Sequence, residues 1–248
     1  MRRPVLFLLA ALLLGPGGLS AQSFNAEAEA KFNVGITHLR EGRVDLAIDT
    51  IKQAIKTDPK NAFFYKGLGT AYQAKQKWGE AIDAYRKALE LNPYFSDVRN
   101  DLGTALILSG KRDEGKKEFL TLFSDPTNPT PEMTARNLGQ CYFEEKNYPE
   151  ALNWYRSSIT RAKTYPDPYL GAADSLLGMG KLEEAIQTLE AAQREMSDNA
   201  QINLALGDVY LKAGRLSEAR QRLENAARKD TNGPAGRRAL ELLKDLPK

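Results

Sequence analysis

Apolar residues recur along this chain at helical spacing, and the pattern repeats as a block. Val34-Gly35 and Leu68-Gly69 stand 34 residues apart, and Leu102-Gly103 follows after another 34. Leu138-Gly139 comes after 36, then Ala172-Ala173 and Leu206-Gly207 at 34 each. Twelve residues past each of these small residues comes another: Ala47, Ala81, Gly115, Ala151, Ala185 and Ala219. Four further on stands a bulky apolar group: Ile51, Tyr85, Phe119, Tyr155, Leu189 or Leu223. The pattern predicts six units of two amphipathic helices of about 14 residues joined by a tight turn. Small residues let the two backbones approach, and the bulky group fills the gap beside them. Neither helix can bury its apolar stripe alone, so stacked units must share one core.

The breakers fall where such units need them. Gly42, Gly110, Gly180 and Gly214 mark turns within units, and Pro59 and Pro93 end second helices because proline cannot continue a helix. The units predicted are 28–61, 62–95, 96–131, 132–165, 166–199 and 200–233. A lead-in at 22–27 precedes them, and a capping helix at 234–248 is built on Ala239, Leu240, Leu242 and Leu243. The third unit departs from the rest. It has Gly115 where alanine is usual and two extra residues between Asp125 and Pro131, among three prolines. Either a hinge between units three and four or a tolerated loop insertion would account for that.

Ahead of the repeats, residues 1–21 read as a secretory leader: Arg2 and Arg3, an apolar run from Val5 to Leu14, then Leu19-Ser20-Ala21 before a cut. The apolar run is short for a membrane span; an uncleaved N-terminal anchor is the alternative. A lipoprotein box would need a cysteine where Gln22 stands, so no lipid anchor is expected at that site. Of 35 lysines and arginines, Arg2 and Arg3 fall in the leader, leaving 33 against 32 acidic residues. With no basic cluster, nucleic-acid binding is not expected.

Candidate chemistry is sparse. His38 is the sole histidine and occupies a slot that holds Tyr72, Tyr142 and Tyr210 in other units, so packing is its expected role. Cys141 is the sole cysteine and has no histidine near it in sequence to act as a base. Acidic pairs such as Glu144-Glu145 and Glu183-Glu184 fit turns and helix starts. No phosphate-cradling loop or metal-ligand spacing appears, so neither cofactor nor metal is expected, and the chain is not expected to be an enzyme.

Tyr65, Leu68-Gly69, Tyr72, Ala81, Tyr85, Ala88 and Pro93 follow the tetratricopeptide signature, and the chain resembles that family. The resemblance implies an all-α, right-handed superhelical solenoid of six units with a C-terminal capping helix. In that family the first helices of the pairs line an inner groove that takes peptide segments of partner proteins. The positions implied are Phe32, Ile36 and Leu39 in the first unit, Lys66 and Gln73 in the second, and Asn100 and Ile107 in the third. The fourth supplies Arg136, Gln140 and Phe143; the fifth Leu170, Asp174 and Leu177; the sixth Leu204, Asp208 and Leu211. Thr70 and Thr104 share the face. The apolar members suit an amphipathic helix or apolar strand, with Phe143 and Leu177 as expected anchors. The alternative is that they only pack neighbouring units. A carboxylate clamp known in the family is not expected, because Phe32 and Ile36 fill its first-unit positions.

Leader, six units, cap and the long third-to-fourth junction resemble the small periplasmic repeat proteins that assist type IV pilus assembly as pilotins. That resemblance implies an exported interaction protein whose partner is an outer-membrane secretin or another pilus component. The runner-up is a general periplasmic adaptor for polysaccharide export or cell-wall machinery. A regulatory subunit or weak enzyme is the third reading, and turnover by the purified chain would be needed to establish it.

Overall fold

The computed structural model describes residues 25–247. The predicted leader at 1–21 lies outside them, as do residues 22–24 of the lead-in. Among the described residues every regular element is an α-helix. They fall into two compact units divided between Pro59 and Lys60.

The first unit holds α1 (Ala26–Arg40) and α2 (Val44–Thr57). The first helix opens at Ala26, taking in two residues expected in the lead-in. The Asn25 side chain caps it by accepting the Ala28 N–H at 3.2 Å. Ala47, Ile48, Ile51 and Ala54 bury one face of α2. A Cβ on Gly35 would lie 2.6 Å from Cγ1 of Ile51, so only glycine permits this approach.

The second unit continues with α3 (Ala62–Ala74), α4 (Trp78–Leu91), α5 (Ser96–Leu108), α6 (Arg112–Ser124), α7 (Pro131–Glu144) and α8 (Tyr148–Arg161). Then come α9 (Pro166–Gly178), α10 (Leu182–Glu195), α11 (Ala200–Lys212), α12 (Leu216–Lys229) and α13 (Pro234–Lys244). The rule seen at Gly35 recurs: Gly69, Gly103, Gly139 and Gly207 lie against Tyr85, Phe119, Tyr155 and Leu223. The bulky residue sits directly over the glycine of the preceding helix. Gly115 is explained the same way, since a Cβ there would meet the Gly103 carbonyl at 2.7 Å. That position therefore brings α5 and α6 together.

Each turn inside a helix pair closes with one long-range bond. Arg43, Lys77, Lys111, Asn147, Lys181 and Arg215 donate their N–H to carbonyls five residues back, at 2.8–3.0 Å. The residue before each donor sits in the left-handed region, as in a Schellman motif. Four of these are the predicted glycines, and the other two are Gln76 (φ 56°) and Lys146 (φ 59°), both L-residues in a conformation that favours glycine.

The third-to-fourth junction is tied down. Asn128 is buried there; its amide donates to the Leu122 carbonyl and the Thr134 hydroxyl, each at 3.1 Å, and its Oδ1 accepts the Thr130 N–H at 3.0 Å. Asp125 accepts from both the N–H and hydroxyl of Thr127, which lowers its pKa. At the far end, Asp230 accepts the N–H groups of Ala235 and Gly236, capping α13. Leu242, Leu243 and Leu246 then cover Leu223 and Ala226.

Candidate functional site, the faces of the first helices

In the second unit the expected groove positions fall on α3, α5, α7, α9 and α11, and every one of those side chains is half-buried or exposed. Phe32, Ile36 and Leu39 are likewise half-buried on α1 of the first unit. Half-burial is what helical geometry gives positions beside the core stripe and not within it.

Several of these residues are engaged with neighbouring side chains. Lys66 Nζ lies 3.1 Å from Asp97 Oδ2 and 5.1 Å from the Phe95 ring centroid, joining α3 to α5. Asn137 donates to Oδ1 of Asn100 at 2.9 Å, joining α5 to α7. Arg136 reaches Asp167 at 3.0 Å, joining α7 to α9. Gln73 accepts the Tyr85 hydroxyl at 2.9 Å and Gln140 accepts that of Tyr155 at 3.1 Å. Burial raises the pKa of both phenols. Ile107 packs beside Phe119 and Leu138. Phe143 packs against Tyr148 with centroids 5.5 Å apart and the rings tilted by 57°, and Tyr148 in turn covers Gly178.

The last interval differs. Among the described residues no hydrogen bond or ion pair joins α9 to α11. Instead a cleft of about 310 Å³ opens between them, with Leu170, Leu177 and Leu204 among its walls. Asp174 and Asp208 line it too, as do Gln201, Ala205 and Lys212. Burial is the main force raising the Asp174 pKa; Asp208 adds to it and Lys212 opposes it. Five of the expected groove residues thus converge on one cavity. Leu211 packs against the core beside it, and Phe143 is not in the cleft, so the two expected anchors do not meet there.

Sequence reasoning missed Gln201 and Lys212. A signal for the first was present: Gln201 stands 31 residues after Leu170, the offset that pairs Lys66 with Asp97 and Arg136 with Asp167. Where the bridge residues become leucine and glutamine, the bridge is lost and the cleft opens.

Among the described residues no group of three histidine, cysteine, aspartate or glutamate side chains could hold a metal ion. Cys141 is buried on α7, and burial, aided by Glu144 and Glu145, pushes its thiol up to about 11. His38 lies on α1 with Glu41 at 3.9 Å.

Family models described as tetratricopeptide repeat match residues 20–62, 62–95, 142–198 and 176–243. Together they span more than half of the sequence. The chain belongs to the tetratricopeptide repeat family. Among its curated relatives in that family is the type IV pilus assembly protein PilF of Pseudomonas aeruginosa. The two are 25% identical over 183 residues, covering 71% of this chain and 73% of PilF. The probable UDP-N-acetylglucosamine–peptide N-acetylglucosaminyltransferase SPINDLY of Hordeum vulgare is 29% identical over 140 residues. That match covers 54% of this chain and only 15% of SPINDLY, so this chain spans a small fraction of that relative. Among solved structures the repeat fold is shared with PilW, described as a widely conserved type IV pilus biogenesis factor. Its TM-score is 0.68 at 21% identity, over 87% of this chain and 99% of PilW. The chain is thus an all-α repeat solenoid that resembles type IV pilus biogenesis proteins. Among the described residues no helix is long and apolar enough to cross a membrane.

Proposed function

We propose that this chain is a non-catalytic interaction scaffold of the bacterial cell envelope. It assists type IV pilus biogenesis in the manner of a pilotin. Its binding module is the six-unit array at 28–233, capped by 234–248. The module holds a segment of an outer-membrane secretin or another pilus component against the faces of its first helices. The leader at 1–21 directs export to the periplasm, where the chain acts either free or tethered by an uncleaved leader, without lipid at Gln22.

The observation that carries the reading is the extent of the match to PilF, which spans most of both chains. The SPINDLY match, by contrast, covers repeats within a much longer protein. Repeats diverge readily and recur across functions, so similarity of number, order and length says more than similarity within one repeat.

The test is affinity capture from envelope extract of a piliated bacterium carrying this gene. The intact chain is compared with a Leu177→Asp, Leu204→Asp variant shown to be folded by circular dichroism. Recovery of a secretin or pilus component by the intact chain alone supports the proposal. Recovery of polysaccharide-export or cell-wall proteins by both baits would replace it with a general envelope adaptor.

A further inference from the structure

Along the second unit the polar residues of successive first helices mostly satisfy one another. Lys66 with Asp97, Asn137 with Asn100 and Arg136 with Asp167 each close one interval. The α9/α11 interval is the exception. Leu170 replaces the cation there, and Asp174 and Asp208 face an apolar cleft with neither hydrogen bond nor ion pair. Lys212 stands at the same cleft yet makes no ion pair with either. Asp174 is exposed and Asp208 half-buried, so both carboxylates stay open to an incoming cation beside the leucines. Partial burial, opposed by Lys212 and reinforced by Asp208, raises the Asp174 pKa.

Resting on the groove reading above, we infer that the α9/α11 cleft is a specificity pocket for a basic-apolar partner segment. One bulky apolar side chain of the segment enters between Leu170, Leu177 and Leu204, and a neighbouring lysine or arginine is shared by Asp174 and Asp208. The positions fit that division. Asp174 lies four residues after Leu170 and three before Leu177 on α9, and Asp208 lies four after Leu204 on α11. Each carboxylate is therefore one helical turn from the leucines of its own helix and on the same face. The apolar contact supplies affinity, and the paired acids choose the partner by charge, rejecting an acidic segment of the same shape.

The experiment selects a phage-displayed library of random 16-residue peptides on the immobilised full chain. Enriched peptides are then measured by fluorescence anisotropy. Enriched sequences are expected to carry lysine or arginine within one helical turn of a leucine, methionine or phenylalanine. An Asp174→Asn, Asp208→Asn variant should bind them about tenfold more weakly or worse, as loss of charge-assisted hydrogen bonds implies. Asp174→Lys, Asp208→Lys should shift the selection to acidic sequences. Gln201→Trp, which fills the cleft from an exposed position, should abolish binding while leaving the fold intact. Enriched peptides that lack basic residues, are lost in Gln201→Trp and are indifferent to the Asn variant would overturn the charge inference and leave the groove standing. Peptides indifferent to both Gln201→Trp and Leu177→Asp, or no enrichment over bare matrix, would overturn the groove and the inference together.

Discussion

Tyr155 on α8 is held between two glycines of different helices, and this arrangement can be tested by sign. A Cβ on Gly171 would fall 2.3 Å from Cζ of the ring and 2.6 Å from Cε1. The ring cannot retreat toward α7, because Gly139 already lets it approach to where a Cβ would be 2.7 Å from Cδ1. The residue is 2% exposed, so solvent offers no escape either. Gly171→Ala in a helix interior should gain about 1 kcal/mol in helix propensity. Overpacking a fixed ring costs about 1–3 kcal/mol, and two-sided confinement places this case in the upper half of that range. The net expectation is a loss of about 1–2 kcal/mol. The next repeat shows the remedy: Leu189 and Ala205 occupy the matching positions and pack in one core cluster. In a Tyr155→Leu background, Gly171→Ala should therefore reverse sign and stabilise by up to about 1 kcal/mol. Urea unfolding followed by circular dichroism measures all four chains, compared only where the m-values agree, because repeat arrays can lose cooperativity. A Gly171→Ala effect of the same sign and size in both backgrounds would refute the account of packing between α7, α8 and α9.

Three further outcomes follow from the same contacts. Asn128→Ala leaves the Leu122 carbonyl and Thr134 hydroxyl short of a partner, so urea unfolding should show a loss of about 1–3 kcal/mol. Gln76→Gly and Lys146→Gly relieve left-handed L-residues, each of which costs about 1–2 kcal/mol. Each change should raise stability by up to about 1 kcal/mol in thermal melts, since glycine's added chain entropy offsets part of the relief. The Cys141 thiol, raised from 9.0 to about 11 by burial, should titrate by thiolate absorbance near that value in the folded chain. Because the folded state resists ionising this thiol, its contribution to stability falls as pH rises from 9.0 toward 11. Alkylation at pH 8 should be slower than in the urea-unfolded chain by about a hundredfold from thiolate fraction alone.

The fold was legible because its repeat is written in residue size. Glycine against a bulky apolar side chain is a steric requirement, so the spacing Gly35–Ile51 or Gly139–Tyr155 survives in sequence as a readable signal. Turns built on Gly42, Gly110, Gly180 and Gly214 were readable for the same reason. Gln76 and Lys146 were not, because surrounding hydrogen bonds and not their own preference hold them left-handed. Nor was the Asn128 clasp, which depends on one side chain meeting three partners across a proline-rich turn. At the candidate site, the family resemblance implied a face of the first helices but not which intervals along it are closed. Two intervals close through pairs 31 residues apart, such as Arg136 with Asp167, and one through Asn137 with Asn100; no such pair forms where Leu170 and Gln201 line the cleft. Phe143 shows the same limit: its helix position points to the groove, while Tyr148 occupies its ring.

Site-specific photocrosslinking in living cells asks whether partner segments lie on the first helices. A benzophenone amino acid is placed at Leu177 or Leu204 on first helices, and at exposed Asp83 or Gln187 on second helices. A crosslinked band containing a secretin or pilus component is expected from Leu177 and Leu204, and none from Asp83 or Gln187. Crosslinks to that partner from the second-helix positions, with Leu177 and Leu204 silent, would contradict that placement.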